Sequence, residues 1–113
     1  MIRKHIHMTA EIPVAINDKA IDVMAEDWAK TVLPKLTNSI AEMNISAAEV
    51  WDFAESFVID ISGECTGMDL AATIDTIRSF GARHAKTKFE LTTVMDNTQT
   101  RKDNVFPESV IER

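Results

Sequence analysis

A single cysteine in 113 residues rules out an internal disulfide and fits a reducing compartment. No stretch approaches the roughly 20 apolar residues that a membrane span needs. The basic N-terminus leads into an alternating pattern, not the continuous apolar core of a signal peptide. These absences lead us to expect a soluble, cytoplasmic protein that does not contact membranes. Internal repeats and low-complexity segments are also missing. Gly63-Glu-Cys-Thr-Gly67 precedes a helical pattern but lacks the lysine and glycine spacing of a phosphate loop. Glu64 and Asp69 would repel a phosphate there. Nothing around Cys65 resembles a protease-type nucleophile signature, so that thiol is expected to be an ordinary one in an exposed Gly-flanked turn.

Positive charge is missing from the middle of the chain. Between Lys35 and Arg78 there is no Lys or Arg, while Glu42, Glu49, Asp52, Glu55, Asp60, Glu64, Asp69 and Asp75 all fall in that interval. Cations collect instead at Arg3 and Lys4, from Arg78 to Lys88, and at Arg101 and Lys102. The net charge of −6 argues against direct nucleic-acid binding, which needs clustered Lys and Arg.

The chain has the length of one domain, and its apolar fraction of 45% is that of a globular protein. Residues 2–16 alternate with period two, Ile6, Met8, Ile12 and Val14 against His5, His7, Thr9 and Glu11, as in a strand with one wet face. Pro13, with no N–H to donate, suits an edge position or the strand's end. A helix capped by Asn17 or Asp18 follows, with Ile21, Ala25, Trp28, Val32, Leu36, Ile40 and Met43 on one face. Pro34 predicts a kink near Leu33.

Ser46-Ala-Ala-Glu49 is a capping-box pattern ahead of a second helix reaching Ile61, although residues 57–62 equally suit a short strand. Thr66-Gly-Met-Asp69 offers another cap for a third helix, with Leu70, Ile74, Ile77, Gly81 and Ala85 inward. Arg83 and His84 near its end complement the helix dipole. Alternation returns over residues 88–95 as a second strand. The expected fold is α+β over residues 1–95: an N-terminal strand, three helices and a C-terminal strand. Residues 96–113 are expected to be a polar loop and tail, with a short helical turn docking Val110 and Ile111. Two strands make a marginal sheet, so either 57–62 or a homodimer would have to complete it.

Three constellations bear on function. His5 and His7 point to the same side of a strand and could share a metal ion, but the candidates for a third ligand, His84, Cys65 and the carboxylates, have no diagnostic spacing. As the wet side of a strand they need no further role. Trp28, Trp51, Phe53, Phe57 and Phe80 fall at core positions, with Trp28 and Trp51 also suited to an interface. Glu49, Asp52, Glu55 and Asp60 share one side of the second helix as read here, with no cation among them.

In overall profile, short, acidic and without a catalytic signature, the chain is similar to small phage or mobile-element proteins that bind and disable a host factor. That profile implies a non-enzymatic protein without a cofactor. Glu49, Asp52, Glu55 and Asp60 would bind a protein partner with a basic surface, and complementary charge would speed encounter. The alternative is a small metal- or ligand-binding domain using His5 and His7.

Overall fold

In the computed structural model the alternating N-terminal segment is strand β1 (Lys4–Pro13). Ile6, Met8, Ala10 and Ile12 point into the core, and His5, His7 and Glu11 face water. The structure describes residues 3–14, 18–39, 41–50 and 56–108, and only the backbone of 18–21, 37–39 and 41–50. Helix α1 (Asp18–Asp27) passes into a π-helical turn (Trp28–Val32) and then α2 (Leu33–Ser39). In that turn the Leu33 N–H donates to the Trp28 carbonyl, five residues back. Pro34 follows at once. Its ring would crowd the carbonyl four residues earlier, and a wider turn makes room at that place. Met24, Trp28, Val32 and Leu36 form the buried stripe, whereas Ala25, expected on it, is exposed.

The expected second helix is overturned. Ala41–Val50 is strand β2 and Ser56–Cys65 is strand β3, paired antiparallel. Ser46 therefore lies within a strand, and the Ala-rich helix propensity of this segment yields to sheet pairing. The strand reading of 57–62 is the one realised, over a longer span: Phe57, Ile59, Ile61, Gly63 and Cys65, every second position, are buried. Gly63 is thus part of β3 and does not bracket a turn.

Helix α3 (Gly67–His84) begins as its cap predicts: Thr66 Oγ1 accepts from the Asp69 N–H at 3.2 Å. Leu70, Ile74, Ile77, Gly81 and the following Ala85 are all buried, together with Phe80. Strand β4 (Phe89–Met95) follows. The segment read as a polar loop is a hairpin, with β5 (Gln99–Val105) paired to β4 along its whole length. Asp96 and Asn97 have φ of 51° and 58°, and the Thr98 N–H donates to the Met95 carbonyl at 3.1 Å. Two successive positive φ values make a type I′ turn, whose twist matches that of the strands it joins. The turn is fastened to β1, since the His5 N–H donates to Asp96 Oδ1 at 3.0 Å and the Asp96 N–H to the His5 carbonyl at 2.8 Å. The helical turn expected around Val110 and Ile111 lies outside the described residues.

The five strands are ordered β2-β3-β1-β4-β5, and every neighbouring pair is antiparallel. β3 lies between β1 and β2, and β1 lies between β3 and β4. Two split βαβ units therefore interlock, the ferredoxin-like arrangement, with β5 added at one edge. β1 is a central strand, and of the two places expected for Pro13, an edge or the strand's end, it takes the second. Of the two ways expected to complete the sheet, the strand at 57–62 is present, as part of β3.

The helices cover one face of the sheet. Between the two layers, the rings of Trp28, Phe57 and Phe80 meet with centroids 5.2, 5.3 and 5.8 Å apart at tilted or edge-on angles, the geometry aromatic quadrupoles favour. Trp28 is thus a core residue. Gly81 lets α3 approach β4: a Cβ built there would overlap the Phe89 ring. Among the described residues no helix is long and apolar enough to cross a membrane.

Candidate functional site

The sheet's other face carries the residues of interest. His5, His7, Thr9 and Glu11 stand on it from β1, and Val58, Asp60, Ser62 and Glu64 from β3. Glu90, Thr92 and Val94 stand on it from β4. Each group is the solvent half of a period-two strand, and the register brings the three rows together. Thr9 lies opposite both Asp60 and Thr92, and His7 opposite both Ser62 and Val94. A shallow depression of about 580 Å³ lies on this face, rimmed by Glu11, Asp60, Glu90 and Lys88 over Thr9 and Val58. Lys102 Nζ is 4.0 Å from Glu90.

The imidazole pair divides its roles. His7 Nε2 is 2.5 Å from Asp60 Oδ1, with the two side chains 46% and 49% exposed. Water screens such a pair, which is worth at most about 1 kcal/mol. His5 is tied to the β4–β5 turn through its backbone. Among the described residues no three His, Cys, Asp or Glu side chains come together as a metal would need.

The four acids expected to form one stripe do not share a helix. Asp60 stands on the uncovered sheet face. Glu49 is on β2, in register with Val58, and Asp52 and Glu55 lie outside the described residues. Cys65, expected exposed, is buried as the last residue of β3. Burial, with the charge of Asp69 adding to it, pushes its thiol pKa up, away from nucleophilic use at neutral pH.

A second His–Asp pair lies on the helical side, where the sequence pointed only to a dipole. His84 Nε2 is 2.5 Å from Asp27 Oδ2, and Arg83 Nε donates to the same oxygen at 3.1 Å. The Thr31 hydroxyl donates at 2.8 Å to Asp27 Oδ1. Asp27 and His84 are only 17% and 13% exposed. Burial raises the Asp27 pKa, but the hydrogen bonds from His84, Thr31 and Arg83 outweigh it and hold the carboxyl at about 2, against an ordinary 3.8. An ionised carboxylate only accepts, so His84 Nε2 carries the proton between them. The Phe80 ring packs against the imidazole at 4.9 Å. With these donors around the carboxylate, the cluster is a clamp between the first helix and α3. Nothing in the local sequence joins Asp27 to residues 56 and 57 positions away.

No family model, curated protein or solved structure matches the chain. Function has to be argued from the faces just described, since an architecture of this kind does not imply an activity.

Proposed function

We propose that the chain is a non-enzymatic binding protein that presents the uncovered face of its sheet to a protein partner with a basic surface. One observation carries this reading. The described helices cover only one side of the sheet, and the other side sets Glu11, Asp60 and Glu90, with Lys88 as the one cation among the described residues there, around a shallow depression with half-buried Thr9, Thr92 and Val58 within it. Carboxylates around β-branched side chains suit basic side chains with apolar stems, which bury the stem and pair the head. The net charge of −6 steers such a partner toward the protein at long range. The acidic site moves from the expected helix stripe to the sheet, with Asp60 common to both. The profile shared with small phage and mobile-element inhibitors makes a host factor the first partner to seek.

The test is charge reversal. Glu11→Lys with Glu90→Lys changes two exposed residues of the sheet face, and Asp75→Lys changes an exposed residue of α3 as a control. The wild-type protein and the Asp75 variant should retain a basic partner from host lysate, releasing it as salt rises, and the double variant should lose it. Equal capture by all three proteins, or no salt-sensitive capture by the wild type, would refute the reading.

A further inference from the structure

We propose that the outer edge of β5 pairs with the same edge of a second copy, giving a symmetric dimer with one continuous sheet. This is independent of the partner-binding face. β5 is outermost in the strand order, and all seven of its residues are paired to β4 on the inner side. The outer row of backbone N–H and C=O groups is then a template for another strand.

The sequence Gln-Thr-Arg-Lys-Asp-Asn-Val of β5 selects one register. In antiparallel self-pairing the two-fold axis passes through a residue or between two. Matching side-chain faces requires the former. An axis at Arg101 sets two guanidinium groups directly opposite each other, and an axis at Asp103 sets two carboxylates opposite. An axis at Lys102 sets Arg101 of each copy opposite Asp103 of the other and overlaps the full strand. Directly opposed residues have Cβ atoms about 5 Å apart, where unlike charges attract and like charges repel.

Arg101 already holds the Asp103 of its own strand, with Nε 3.0 Å from Oδ2 and Nη2 3.1 Å from Oδ1. Dimerisation therefore exchanges one Arg–Asp pair for another. The two Lys102 residues meet at the axis on the opposite sheet face, where each is drawn back toward Glu90. Charges on an edge usually guard against pairing. Here each register opposes one like-charge pair, and only the register centred on Lys102 offsets it, with two Arg101–Asp103 pairs.

Light scattering over a concentration series should show the mass rising from 12.6 kDa toward twice that value. Arg101→Asp should stay monomeric, as should Asp103→Arg, and the combined swap should dimerise again. Lys102→Thr should tighten the dimer by removing the like-charge contact. Lys102→Cys should become covalently dimeric on mild oxidation, because its axial position brings the two Cα atoms to about 5 Å, within disulfide reach. Arg101→Cys should not. Since Cys65 is buried, the wild type serves as the uncrosslinked control. A monomer at every concentration up to about 1 mM, a dimer indifferent to Arg101→Asp, or a folded double swap that stays monomeric would overturn the proposal. The cysteine pair keeps the test decisive if a charge variant fails to fold.

Discussion

Replacing Asp27 with Asn tests whether the interhelical clamp contributes to stability as its geometry implies. The substitution keeps the side-chain shape and removes the charge facing His84 and Arg83. Thr31 keeps an acceptor, because its hydroxyl also reaches the Asp27 backbone carbonyl at 2.7 Å. The folded carboxyl titrates at about 2 in place of 3.8, and each pH unit of that gap is worth about 1.4 kcal/mol. The ionised form is therefore favoured by about 2.5 kcal/mol before screening, and by about 2 kcal/mol once the partial exposure of the group is allowed for. Because the folded value is depressed, this stability is fully present well above pH 3.8 and is lost as pH falls through 2, with about half remaining at pH 3. Urea denaturation at pH 7 should place Asp27→Asn about 2 kcal/mol below wild type, roughly 8 °C in Tm for a domain of this length. The difference should narrow as the pH is lowered from 5 to 3. A variant within 0.5 kcal/mol of wild type at pH 7, or a deficit that does not shrink on acidification, would refute the reasoning.

The other His–Asp pair, at the same 2.5 Å separation but half exposed, should behave differently. His7→Ala should cost less than about 1 kcal/mol, and a loss comparable to that of Asp27→Asn would mean that burial does not set the worth of these contacts. Gly81→Ala should destabilise the fold by about 1–3 kcal/mol despite alanine's better helix propensity, because the added methyl meets the buried Phe89 ring. Adding Phe89→Leu should recover part of the loss in a double-mutant cycle. At Asn97, Gly should be neutral or mildly stabilising and Val should cost about 1–3 kcal/mol, since φ of 58° suits only the former. Chemical denaturation at pH 7 reads all of these.

The residues that define β1, α3 and β4 were legible because each element carries its own periodicity. His5 and His7 fell on the wet side of β1 by alternation alone, and Thr66 announced the start of α3 by a cap that needs only its own four residues. The central position of β1 was not legible, since alternation says which side is wet but not which strands lie alongside. Residues 57–62 satisfied two periods at once, because Phe57, Val58 and Ile61 cluster on a helix as readily as Phe57, Ile59 and Ile61 alternate on a strand. Pairing decided between them: opposite β1, Met8 meets Ile61, Ala10 meets Ile59 and Ile12 meets Phe57, all on the buried side.

β5 was missed because its strand identity comes from backbone bonds to β4 and shows no apolar rhythm of its own. The one local sign was Asp96-Asn97, two residues that tolerate positive φ. The sequence by itself determined which side chains turn inward on β1, α3 and β4, since those choices depend on neighbours a few residues apart. Only the tertiary structure decided that residues 41–50 and 56–65 pair as antiparallel strands, that the described helices leave one sheet face uncovered, and that Asp27 lies against Arg83 and His84. Each of those rests on contacts between segments far apart in the chain, where no local pattern records the partner.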